Sequence, residues 1–421
     1  MADCPEENVR PMLSQETVEC ILQEQYDIPR EIIDVIDPLV SYDDQNFYVK
    51  LKPDSRELVL KITNWRDSKN IMLIGEMTEL MFRLGKSVPC SAPRHTKAGS
   101  LLGRCTYSEN GNTRECIVRL FDFLPGNATF LLQIKKISVD DVADDVATMS
   151  LLWSRVGQKS QRHASLSVLR ETASAFHSSV SGKIINPGEA TPAQAFQWGA
   201  LLGRMHLAFE SMIFPTINER SFLWSWEGVP KVSRYLDAVS DNSDREFVRT
   251  IFDKYERQMM PRMQRMKRDL LHGDMNERNI LINSAGEVYA VLDFADAQGG
   301  PRVWDLALVL AYLSLILPDT ERDLVPYFGQ AIAGYAQYMP DVLRETGDVE
   351  TLKTLICTRL CQSLVLGLQS FKTKADPYVL TSQKRGWPAL KMLYYEPRES
   401  ILDAWNKLLT PFGVEIKKTA N

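Results

Sequence analysis

The chain changes texture once, at Leu124-Pro125-Gly126, and that change constrains its fold more than any other feature. Upstream, the signals are those of strands. Glu57 to Thr63 (ELVLKIT) alternates and is rich in β-branched residues. Gly103 to Thr106 and Arg114 to Phe123 flank Ser-Glu-Asn-Gly-Asn, whose Asn-Gly suits a hairpin turn. Between them, Ile71, Ile74, Leu80, Met81 and Leu84 recur at helical spacing within Lys69 to Leu84. Downstream the pattern is helical, apart from two short strand candidates, Ile280 to Asn283 and Val288 to Asp293, separated by Ser-Ala-Gly-Glu. Pro and Gly at the junction make a hinge. The expected architecture is α+β in two lobes. A frayed segment at 1–13 precedes a helix capped by Ser14; a small β-rich N-lobe covers 14–124; a larger, mainly helical C-lobe covers 125–421 and contains a Ser-rich excursion at about 135–192.

With 421 residues the chain has ample core for two lobes. Lys plus Arg number 49 against 54 Asp plus Glu, a formal charge of −5, and no basic block is present, so nucleic acid is not the expected partner. Asp3, Glu6, Glu7, Arg10 and Pro11 leave no apolar core for a secretory signal. The longest apolar run, Leu306 to Leu317, is shorter than the ~20 residues a membrane helix needs, so it reads as a buried helix. A cytoplasmic protein with no membrane partner is expected. Seven cysteines (4, 20, 90, 105, 116, 357 and 361) include no Cys-x-x-Cys pair and read as reduced core thiols, with Cys357 and Cys361 on one helix face.

The residues that carry chemistry lie in Leu271-His272-Gly273-Asp274-Met275-Asn276-Glu277-Arg278-Asn279-Ile280-Leu281, followed by Asp293 after the next strand. Gly, Asp and Asn all favour turns. A turn, however, does not require Asp and Asn five apart between apolar strands with Leu-Asp-Phe downstream. Phosphoryl transfer does require that pattern: Asp274 would face the acceptor hydroxyl as base, and Asn279 and Asp293 would offer hard oxygen ligands to Mg²⁺ on the nucleotide phosphates. Such chemistry also needs a strand lysine for the phosphates. Lys61 in Val59-Leu60-Lys61-Ile62 points opposite to its apolar neighbours, and Glu76 and Glu79 on the following helix are its candidate partners. Ser41-Tyr42-Asp43-Asp44-Gln45-Asn46-Phe47 occupies the place of the phosphate-covering hairpin without a glycine. Ser41 and Asn46 are its candidate phosphate donors, and Asp43 and Asp44 would repel phosphate unless they point away or face a cation. Asp305 reads as a helix N-cap, and His206 and His272 as structural, His272 bracing the catalytic loop.

His-Gly-Asp-x4-Asn with Leu-Asp-Phe-x-Asp, the N-lobe lysine and the Leu-Pro-Gly hinge resemble the aminoglycoside phosphotransferase and choline kinase-like family, a branch of the protein-kinase-like fold. Ser41 to Phe47, His272 to Ile282, Cys357 to Val365 and Gly386-Trp387 resemble its hydroxylysine kinase branch, and the likeness runs from about Ser14 to Trp405 outside the excursion. The resemblance implies Mg²⁺-dependent transfer of the γ-phosphoryl group of a nucleoside triphosphate, GTP (or ATP), to the hydroxyl of 5-hydroxy-L-lysine, in the breakdown of a collagen-derived amino acid. By position, Asp274 is then the base, Asn279 and Asp293 hold metal, and Lys61 holds phosphate. At the natural position of the helix acid stands Met77. Such an acceptor needs a cation for its carboxylate and acids or aromatic faces for its amines; Asp296, Arg359 and Trp387 are the candidates. A kinase for another amino alcohol, an aminoglycoside or a sugar fits the same motif. So does a non-catalytic pseudokinase, although a binding module needs no base.

Overall fold

Alternation along the N-terminal strands decides which side of their sheet is dry. In the computed structural model, residues 10–417 are described except Val40, Tyr42, Asn110, 125–182, 319–322, 375–379 and 381. Residues 1–9 of the expected frayed start, Pro125-Gly126 of the hinge, and the excursion up to residue 182 lie outside the described residues. Helix α1 (Gln15–Tyr26) starts at Ser14, whose hydroxyl accepts from Thr17 N–H. Strands β1 (Ile33–Leu39), β2 (Gln45–Leu51) and β3 (Glu57–Ile62), helix α2 (Ile71–Leu84), and strands β4 (Gly103–Glu109) and β5 (Asn112–Asp122) complete the N-lobe. The strands form one antiparallel sheet in the order β1-β2-β3-β5-β4. Leu58, Leu60, Ile62, Val118 and Leu120 bury one face with Val18 and Leu22 of α1. Val59, Lys61, Arg119 and Phe121 therefore share the other face. Strand β1 was not expected. Its sequence, Ile-Asp-Val-Ile-Asp-Pro-Leu, carries two acids and a proline and lies half-buried at the sheet edge.

The buried face of α2, from Met77 through Leu84, joins the large core of the C-lobe, not that of the sheet. In that lobe α3 (Pro192–Phe209) begins with a reciprocal capping box between Thr191 and Gln194. The one-turn helix α4 (Pro215–Asn218) follows, then α5 (Asn242–Lys254). Strand β6 (Asp269–Leu271) leads into the loop His272 to Asn279, and β7 (Ile280–Ile282) and β8 (Val288–Val291) form the expected hairpin. A further strand, β9 (Gln298–Gly300), pairs with β6; three residues containing two glycines give no strand signal. The apolar run becomes α6 (Arg302–Leu313), buried along its whole length. Helices α7 (Leu324–Ala336), α8 (Val349–Lys374), α9 (Gln383–Tyr395) and α10 (Arg398–Leu409) complete the lobe. Cys90, Cys116, Cys357 and Cys361 are buried, but Cys20 is exposed, on the side of α1 away from Val18 and Leu22. Among the described residues no helix is long and apolar enough to cross a membrane.

Candidate active site

The polar face of the N-lobe sheet and the catalytic loop of the C-lobe enclose a cavity of about 530 Å³. Cross-strand register puts Asn46, Lys61 and Arg119 in one row on β2, β3 and β5, all on the cavity wall. Ser41 is not on that wall. The Nζ of Lys61 lies 3.0 Å from the Asp44 carboxylate, which also accepts from Asn64 N–H at 2.9 Å and the Asn64 side chain at 3.1 Å. Burial disfavours charge on Asp44, yet Lys61, the Asn64 N–H and Arg119 outweigh it and hold the carboxyl below its usual range.

The expected acid from α2 is therefore corrected: neither Glu76 nor Glu79 pairs with Lys61. Ile74, Met77 and Met81, at helical spacing, face the cavity, which turns residues 76 and 79 away. Glu79 accepts from Arg83. Glu76 spans the lobes instead, receiving Thr216 N–H (3.1 Å), Thr216 O–H (2.8 Å) and Ile217 N–H (2.8 Å) at the start of α4.

The catalytic loop is braced from behind. Asp305 is corrected too: α6 starts at Arg302 behind an N-cap Pro301 that makes no side-chain cap, and Asp305 is a buried residue inside the helix. Its carboxylate accepts the N–H groups of His272 (2.7 Å) and Gly273 (3.0 Å) and meets His206 Nε2 at 3.2 Å. Burial lowers the pKa of His206 despite Asp305, so the neutral ring donates Nε2–H there and its Nδ1 faces the Tyr335 hydroxyl at 2.9 Å. His272 braces the loop as expected: Nε2 bonds Leu292 O and Nδ1 accepts Asp274 N–H. Gly273 has φ +81°, and a Cβ there would fall on Asp296 O, so only glycine lets this loop approach the Asp293–Asp296 loop.

Asp274 accepts the side-chain N–H groups of Asn276 (2.9 Å) and Asn279 (3.2 Å) through Oδ2, while Oδ1 lies 3.6 Å from Arg359. Its side chain is 26% exposed, enough for an acceptor hydroxyl to reach it. Burial raises its pKa, Arg359 and His272 oppose, and Asp293 adds to the rise. The Asn279 amide nitrogen also donates to Asp274 O at 2.7 Å, which turns the amide oxygen away from Asp274. Asn279, Asp293 and Asp296 all line the cavity. Asp293 holds a left-handed φ of +52°, a conformation strained for a non-glycine residue, and spends one carboxylate oxygen on Ala295 N–H. An amide oxygen and a carboxylate fit a small hard cation that takes its remaining ligands from phosphates and water. Arg220 fastens this loop from across α4 through Ala295 O and Ala297 O.

The expected acceptor residues divide. Burial, then Asp274, pushes the Asp296 carboxyl up to about 7, with Arg220 opposing. Arg359 is 1% exposed, bonded to Gln362 (2.7 Å) and the Tyr312 hydroxyl (3.2 Å) and lying over the Trp224 ring; it faces Asp274 from the core and does not line the cavity. Trp387 donates to Gln383 and packs on the C-lobe core, also away from the cavity. Sequence reasoning missed the roles of Asp44, Arg119, Arg220, Glu76 and Asp305. Arg119 alone left a signal, as the one charge in the apolar run Cys116 to Phe121.

The model of the "Phosphotransferase enzyme family" matches residues 126–340. A hydroxylysine kinase from Bos taurus is 25% identical over 390 residues, covering 88% of this chain and 87% of its own length. One from Danio rerio is 24% identical over 403 residues, covering 94% and 96%. Among solved structures, amicoumacin kinase in complex with AMP-PNP, Ca²⁺ and Ami has a TM-score of 0.54 at 16% identity, covering 90% of this chain and 93% of that one.

Proposed function

We propose, from the premise that the chain belongs to the phosphotransferase enzyme family and is a small-molecule kinase acting on an alcohol, that it transfers the γ-phosphoryl group of GTP to the hydroxyl of 5-hydroxy-L-lysine. The observation that carries this reading is the convergence of Lys61, Asn279, Asp293 and Asp296 on one cavity, with Asp274 bonded to Asn279 beside it. The sustained likeness to hydroxylysine kinases over about nine-tenths of the chain supports the acceptor. GTP and the catabolic role rest on the motif resemblance, and a cytoplasmic location on the sequence reading of the N-terminus and of the longest apolar run.

In this reading Lys61 holds the donor phosphates and Asp274 orients the acceptor hydroxyl and takes its proton as the new O–P bond forms. Arg359 opposes the upward pull of burial on that carboxyl and faces its Oδ1. Asn279 and Asp293 would hold Mg²⁺, which when bound neutralises phosphate charge. Asp296 holds an ammonium group of the acceptor. Arg359 serves the acceptor through Asp274, and Trp387, packed away from the cavity, takes no part in it.

The test is nucleoside diphosphate release by purified protein with Mg²⁺, comparing GTP with ATP, with and without 5-hydroxy-L-lysine. GTP-dependent release only with that amino acid is the expected result. Stimulation by ATP alone would replace the donor, and stimulation only by other amino alcohols, aminoglycosides or sugars would replace the acceptor. No stimulated release with any of them would refute the enzymatic reading in favour of a nucleotide-binding pseudokinase.

A further inference from the structure

Arg119 is 7% exposed, within the apolar run Cys116 to Phe121 of its strand, and among the described residues its guanidinium makes no ion pair within 4 Å. One terminal nitrogen donates to the Thr63 hydroxyl at 2.9 Å, the other reaches the Thr78 hydroxyl at 3.5 Å, and Nε is buried with no partner. Asp44 and Asp293 attract it from farther off, but Asp44 is bonded to Lys61 and Asn64. A buried cation left without an adjacent anion is costly to a fold, by more than two hydroxyl contacts return. In the same register row, Lys61 adds a second positive charge, and both side chains reach the wall of the cavity. Arg66 and Asp67 also line this side, so three cations against the carboxylates of Asp44 and Asp67 leave the N-lobe wall with a net positive charge and a guanidinium fork whose geometry suits a phosphate.

We propose that Arg119 is a second phosphate-binding residue of the nucleotide site, acting beside Lys61, and that the polyphosphate of the donor supplies the anion this buried guanidinium lacks. This rests on reading the cavity as the nucleotide site, and it adds to that reading a residue outside the motifs. Phosphate binding would occupy the unpartnered side of the fork, leaving the Thr63 contact as the positioner. The free protein then keeps Arg119 at a cost in stability for the sake of the ligand.

The experiment titrates guanosine, GMP, GDP and GTP, and the adenine series in parallel, into the full chain and into Arg119→Met and Arg119→Lys, without acceptor, and records Tm for each free protein. Arg119→Met should weaken GDP and GTP binding about ten- to a hundredfold, as loss of a charged hydrogen bond does, and leave guanosine within about twofold. Its free Tm should rise, because an uncompensated charge has been removed. Arg119→Lys should keep part of the preference for phosphates. Equal losses for nucleoside and triphosphate would overturn the proposal, and so would unchanged triphosphate affinity. A Met variant that loses stability or fails to fold would also overturn it, since the guanidinium would then belong to the core. Wild-type protein that binds neither triphosphate would refute the nucleotide site itself, a result distinct from all of these.

Discussion

Asp305→Asn isolates the brace behind the catalytic loop. One Asp305 oxygen takes His272 N–H at 2.7 Å and faces His206 Nε2 at 3.2 Å; the other takes Gly273 N–H at 3.0 Å. The amide is the same size. Its single oxygen can keep the first pair of donors, but its NH₂ then faces the Gly273 N–H, donor against donor. Removing a hydrogen bond to a charged group and stranding a buried N–H each carry roughly 1.5–3 kcal/mol, and because the two overlap in one contact we take about 3 kcal/mol for the substitution. The effect is local, at the residue preceding Asp274, so the suitable assay is amide hydrogen exchange of the 270–281 segment read against β3 and β5. Three kcal/mol corresponds to about a hundredfold faster exchange at Gly273, with the N-lobe strands unchanged and turnover reduced because Asp274 is no longer held. Exchange within about threefold of wild type would refute the view that Asp305 holds the loop.

Asp274→Ala should reduce turnover by at least about a hundredfold while leaving nucleotide affinity within about threefold, because Asp274 lies beside the cavity wall that would hold the nucleotide; preserved turnover in steady-state kinetics would remove it as base. Acceptor binding to nucleotide-free protein should tighten about tenfold from pH 6 to pH 8, because a carboxyl at about 7 passes from roughly a tenth to nine-tenths ionised across that window. Calorimetry should find Asp296→Asn flat over the same range. The linked sign for stability is opposite: the raised pKa favours the protonated fold, so the free protein loses stability as pH rises from the ordinary carboxylate range through about 7, and the Asn variant should lose less. Glu76→Gln leaves at least one of three α4 donors without its carboxylate acceptor and should cost about 1–3 kcal/mol in a denaturant titration; a loss below about 0.5 kcal/mol would show that the inter-lobe contact is dispensable.

The two-lobed α+β fold and the elements around the catalytic loop were legible because their signals are local. Alternation marks β3 and β5, Ser14 caps α1, and the apolar run of α6 is buried as its composition requires. The bonds of His272 likewise follow from its place beside Asp274. What escaped depends on which way a side chain turns once the helices are packed. Asp305 resembles a cap in sequence because it opens an apolar run, but α6 begins three residues earlier and carries it inside. Glu76 and Glu79 have the spacing of a helix partner for Lys61, yet the apolar stripe at Ile74, Met77 and Met81 claims the facing side. Asp44 was expected to repel phosphate unless it pointed away or faced a cation, and it is the β2–β3 pairing that brings Lys61 to it. No pattern in one chain reports the convergence of β5 with a loop 170 residues away.

The rewiring of Lys61 bears on how the cavity is charged. No acid on α2 holds the lysine; Asp44, just ahead of β2, does so, and Glu76 joins the lobes through α4. The sheet wall is thereby held rigidly cationic through Lys61 and Arg119, and the facing loops carry the carboxylates of Asp293 and Asp296. A polyphosphate suits the first wall, and on the second a hard cation on Asn279 and Asp293 and an ammonium on Asp296 would screen the two carboxylates from it. Arg220 and Arg278 line the facing side as well and offset its two carboxylates, so the excess charge that a ligand must meet lies on the sheet wall. On the proposed reading, the excess charge of the sheet wall suits an anionic donor, and Asp296, once ionised, suits an ammonium near the acceptor hydroxyl, which an amino alcohol supplies and a neutral sugar does not.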